Sequence, residues 1–131
     1  MSLHLNSRRR GFTLIELLIV VTVMGLLAAI AIPRFNHLKQ KANVATMQTA
    51  LKNLGQAEET FFAEHGAYTA ALDSLNFQPS GEMTLTVVEA TMTGWSATIT
   101  HPQALPRKCA FFLGTAAALP PATNQGSMAC E

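Results

Sequence analysis

The sequence predicts an α+β protein in which the C-terminal half of one long N-terminal helix packs against a small three- to four-stranded antiparallel sheet. Three observations carry that expectation. An apolar run over residues 12–32 leads into an amphipathic stretch that reaches Phe62. After Gly66 the apolar period changes from helical to alternating, in segments 83–88, 95–100 and 109–113. Two cysteines, Cys109 and Cys130, bracket the final segment.

The chain has 131 residues, of which 49% are hydrophobic and only 13% charged, apolar-rich for a single small domain. The excess is concentrated at the N-terminus. Residues 1–10 are polar and end in Arg8, Arg9 and Arg10. Within 12–32 the clearly polar residues are Thr13, Glu16 and Thr22. As a helix that stretch is roughly 31 Å long, close to the hydrocarbon thickness of a bilayer, about 30 Å. The arginines would stay on the cytoplasmic side.

Three readings compete for this segment. A secretory signal peptide has a shorter apolar core and is cut after it; Ala28-Ala29-Ile30-Ala31 could mimic such a site. A plain membrane anchor explains the length and the arginines but leaves Glu16 unexplained, because an unpartnered carboxylate there costs about 2–3 kcal/mol or more. Cleavage before the apolar run, between Gly11 and Phe12, creates a new α-amino group four residues from Glu16. Gly11 supplies a small, flexible residue at the scissile bond.

The run Gly11-Phe12-Thr13-Leu14-Ile15-Glu16-Leu17-Leu18 resembles the processing motif of type IV pilins and the related pseudopilins of type II secretion. Pro33, after Ala29-Ile30-Ala31-Ile32, resembles the helix-kinking proline of that family. The likeness is close over residues 8–33 and architectural beyond them. It implies a leader over residues 1–11 removed by a membrane prepilin peptidase, and N-methylation of Phe12. It implies a membrane and filament-core helix over 12–33, an amphipathic continuation over 34–65, and a head over 66–131. It also implies a homo-oligomeric filament raised from the inner membrane to the cell surface by an assembly platform and an ATPase. Without the three arginines, six basic residues face eight acidic ones, a net charge of −2, so no overall basic character points to nucleic acid.

Glu16 then acquires a physical role. Between parallel helices its carboxylate can face the Phe12 amine of a neighbouring copy, an attraction of roughly 4 kcal/mol at about 4 Å and an effective dielectric of 20. Desolvation offsets part of that. The pair therefore selects register between copies more than it adds stability, and Glu16 is expected to be an assembly residue.

Beyond the apolar run, Pro33 removes a backbone hydrogen bond and Gly25 adds a second weak point. Phe35, Leu38, Ala42 and Ala45 form one stripe; Met47, Ala50, Leu51, Leu54, Ala57, Phe61 and Phe62 form a wider one expected to face the core. Lys39, Lys41, Lys52, Glu58 and Glu59 are expected between them. Gly66 is the expected helix stop after His65. A loop with a short turn around 70–75 precedes the strands. Segment 114–131, rich in Ala, Pro, Gly and Thr, has little to bury and would fray alone. Behind a membrane-targeting segment the cysteines read as a disulfide formed outside the cytoplasm, the alternative being two unpaired small hydrophobic residues.

No catalytic constellation stands out. Gly94-Trp95-Ser96-Ala97-Thr98 lacks the final glycine of a nucleophile elbow and opens a strand. His4, His37, His65 and His101 lack metal-ligand spacing, and Asp73 is the only aspartate, so neither metal nor cofactor is expected. Trp95, Phe111 and Phe112 are expected in the core. The expectation is a non-enzymatic pilus subunit, with adhesion, motility and DNA uptake all open as the role of its fibre. The alternatives are a pseudopilin of type II secretion, which usually lacks such a disulfide, or a minor pilin binding DNA or a surface through Arg107 and Lys108.

Overall fold

The computed structural model describes residues 11–131; segment 1–10, with Arg8, Arg9 and Arg10 of the expected leader, lies outside the described residues. Helix α1 spans Leu14–His65 and is followed by strands β1 (Thr84–Ala90), β2 (Gly94–Thr100), β3 (Lys108–Gly114) and β4 (Ala129–Cys130), with a 3-10 turn at Pro102–Ala104. The chain divides into two compact units between Asn36 and His37.

In the first unit α1 begins at Leu14, two residues later than the apolar run, because Phe12 and Thr13 precede the first helical turn. The helix continues through Gly25 and Pro33.

The second unit, His37–Glu131, holds the core. Met47, Ala50, Leu51 and Leu54 line one helix face and are buried. They pack against Met83 and Leu85, against Trp95, Ala97 and Ile99 of β2, and against Cys109. The helix stops where expected: Gly66 has a φ of +73° and its N–H donates to the Phe62 carbonyl at 2.7 Å. A glycine reaches that left-handed conformation without a Cβ penalty.

The sheet is antiparallel in the order β1-β2-β3-β4. In the β1–β2 ladder Leu85 opposes Ile99 and Ala90 opposes Trp95, with a register shift between Val87 and Glu89 that lets the first strand run two residues past the expected 83–88. Gly94 opposes Gly114. A Cβ on Gly114 would run into the Thr93 carbonyl and one on Gly94 into the Leu113 carbonyl, so this crossing admits only glycine.

Two expectations are corrected. Glu58 does not sit between the apolar stripes; it is 0% exposed, on the core face. It follows Leu54 by four residues and so shares its face. Segment 114–131 is not merely tied at its end. It turns back over the sheet face away from the helix, where Ala116 and Ala122 pack on Ala110 and Phe112. The Ala117 N–H donates to Glu89 Oε2 at 3.1 Å, and β4 pairs with β3. Alanines are small enough to lie flat on a sheet, so the sheet is covered on both faces.

Candidate functional site

The expected N-terminal site is built on the first turn of α1. Thr13 occupies the capping position and Glu16 the third helical one. The Thr13 N–H donates to Glu16 Oε2 at 2.8 Å, and the Thr13 hydroxyl donates to the same oxygen at 2.9 Å. In return the Glu16 N–H approaches Thr13 Oγ1 at 3.3 Å. This is a reciprocal capping box, in which each side chain satisfies a backbone donor that the helix start leaves unpaired. Both Thr13 donors converge on Oε2, and among the described residues Oε1 has no hydrogen-bond partner. The positive end of the helix dipole also favours a carboxylate here. Sequence reasoning singled out Glu16 but missed Thr13, although the T-x-x-E spacing marks such a box.

Around this turn the surface is apolar. Every residue of 11–36 is solvent-exposed, and Phe12 is 85% exposed. The Thr22 hydroxyl donates to the Leu18 carbonyl at 2.7 Å, which removes its need for water. By length and composition this part of α1 could cross a bilayer. It has the surface of a helix whose partners are lipid or other helices.

In the second unit the Cys109 and Cys130 sulfurs are bonded to each other. The bond lies where β3 meets β4, next to the Gln48 side chain. Trp95 is 1% exposed, and Phe111 packs against it with its ring tilted by 39° at a centroid distance of 4.9 Å. Phe112 points to the other sheet face. Phe111, expected in the core, is only half-buried because it lines an apolar groove of about 620 Å³ together with Leu51, Gly55, Trp95, Leu113 and Met128.

Glu58 accepts a hydrogen bond from the Thr69 N–H at 3.1 Å, which ties the loop after α1 to the helix. Its Oε1 is buried without a partner among the described residues. Burial raises its carboxyl above the usual carboxylate range; the Thr69 N–H opposes this and the neighbouring Glu59 charge adds to it. The Arg107–Lys108 pair is partly neutralised, since Lys108 Nζ lies 3.3 Å from Glu131 Oε1. Ser96 is buried within β2 rather than raised on an elbow. Among the described residues no three His, Cys, Asp or Glu side chains converge.

Comparison with known proteins places this sequence in a family. The profile of the prokaryotic N-terminal methylation motif matches residues 6–32. The type IV wide pilus major component PilA4 of Thermus thermophilus is 31% identical over 96 residues, which cover 70% of this chain and 73% of that protein. The chain belongs to the type IV pilin family. The type IV major pilin protein PilA of Myxococcus xanthus is 45% identical over 74 residues, 56% of this chain and 34% of that protein. A fimbrial protein of Neisseria meningitidis is 30% identical over 79 residues, 60% of this chain and 46% of that protein. Aligned stretches therefore span between a third and a half of the length of these last two pilins, and about three quarters of the Thermus protein.

Proposed function

We propose that this pilin is a structural subunit of a type IV pilus. It is held in the inner membrane by the apolar part of α1, cut between Gly11 and Phe12 by a prepilin peptidase, and methylated on Phe12. It is then drawn by an assembly platform and its ATPase into a helical surface fibre. The observation that carries this reading is the first turn of α1: a single carboxylate, on a long uncovered apolar helix, with one oxygen held by Thr13 and the other without a partner among the described residues.

The chemistry follows from that geometry. Cleavage after Gly11 leaves a positive amine on Phe12. In lipid a lone carboxylate is costly and a lone ammonium is too. In a bundle of parallel copies, Glu16 Oε1 accepts from the Phe12 amine of a neighbour while Oε2 keeps the Thr13 cap. The capping box thus fixes the direction of the carboxylate before any neighbour arrives, and less freedom is lost on assembly. Pro33 and Gly25 supply the points at which the helix bends on leaving the bilayer. The family fibre is the reason a helix with this much exposed apolar surface is tolerated: other copies cover it.

Glu16→Ala tests the proposal. The variant is expected to be inserted and cut normally yet absent from sheared surface fibres. Fibres at wild-type yield from Glu16→Ala would contradict the assigned role.

A further inference from the structure

The charges of α1 in the second unit are segregated. Lys39, Lys41 and Lys52 precede, and Glu58, Glu59 and Glu64 follow. At about 3.6 residues per turn, Lys39 projects about 80° to one side of the buried Met47 direction and Glu59 about 120° to the other. The two therefore lie on opposite flanks of the helix. Glu59 is exposed at the rim of the groove floored by Gly55, where a Cβ would lie only 3.7 Å from Trp95. Tyr68 Oη donates to Glu59 Oε1 at 3.0 Å and holds the carboxylate in place. Lys52 borders the same groove. Among the described residues the single ion pair is Lys108–Glu131, and neither Lys39 nor Glu59 has an ionic partner there.

We propose that a second copy of this chain docks here, its Lys39 against Glu59 at the rim of the groove. This rests on the filament reading. Sliding a parallel copy by about 30 Å brings Lys39 level with Glu59. Opposite flanks are used, so the contact is head-to-tail and leaves each copy with one unused half, as an open helical assembly requires. It joins copies separated by several helical turns, distinct from the neighbour reached by Glu16.

Charge reversal in the full-length chain tests it, with fibre yield as the readout. Lys39→Glu and Glu59→Lys should each reduce sheared fibres by about tenfold or more, and the double variant should recover most of the wild-type yield. A carbodiimide cross-link between Lys39 and Glu59 of different copies, found by mass spectrometry of wild-type fibres, is the second measurement and does not depend on variants folding. A double variant no better than the singles, together with wild-type fibres that lack this cross-link, overturns the proposal. If wild-type cells form no fibre containing this chain, the filament reading itself fails. If fibres form and only Glu16→Ala abolishes them, that reading stands and the Lys39–Glu59 contact is wrong.

Discussion

Replacing both Cys109 and Cys130 by alanine isolates what the disulfide contributes. The bond joins residues 21 positions apart, and closing a loop of that size removes unfolded-state entropy equivalent to about 3 kcal/mol at room temperature. It also pins the two-residue strand β4, and with it the end of the segment that covers Ala110 and Phe112. For a unit of roughly a hundred residues, 1 kcal/mol moves the midpoint by about 4–8 °C, so the double variant should melt some 12–25 °C lower. The assay is thermal unfolding of the full chain in detergent micelles, followed by the fluorescence of Trp95. The chain has one tryptophan and it sits in the core of the second unit, so the signal reports that unit alone. Reduction of the wild-type disulfide should give a similar drop. A shift below about 4 °C in both experiments would refute the reasoning, because the segment would then be held by its packing without the bond.

Leu54→Ala, at a fully buried site on the helix face, should cost about 2–5 kcal/mol in the same melt. Gly114→Ala, which forces a Cβ into the Thr93 carbonyl at a φ of +66°, should leave the second unit unable to close its sheet, read as loss of protease resistance. For Glu58 the sign follows from its raised carboxyl: the folded state holds the proton more tightly than the unfolded one. Stability is therefore fully present below the ordinary value of 4.5 and declines as pH rises through the higher folded value. Glu58→Gln should flatten that decline, and melting midpoints from pH 4 to 8 check it. Thr13→Ala should weaken the helix start by about 1 kcal/mol and reduce fibre yield without blocking cleavage, seen by comparing processed chain with sheared fibre.

Much of the fold was legible because its signals are periodic and local. The stripe from Met47 to Leu54, the alternation around Trp95, Ala97 and Ile99, and Gly66 as a stop each reflect a repeat that backbone geometry imposes. Glu58 was misplaced because its charge argued for solvent while its spacing from Leu54 argued for the core. The spacing prevailed because the Thr69 N–H gives the buried carboxylate a donor. The cover formed by Ala116 and Ala122 left no trace, since alanine carries little hydrophobic signal and the segment has no period. At the functional turn, Glu16 was conspicuous as a charge in an apolar run. Thr13 was not, because a threonine in such a run draws no notice unless it is read together with the glutamate three residues on. The groove beside Gly55 depends on contacts between residues far apart in sequence, and no local pattern announces it.

The central claim is that cleavage after Gly11 creates the amine that a neighbour's Glu16 accepts. Mass spectrometry of the N-terminal peptide from sheared surface fibres tests it most directly. That peptide is expected to begin at Phe12 and to carry one methyl group on its amine. A peptide beginning at Met1, or fibres in which this chain does not occur, would contradict it.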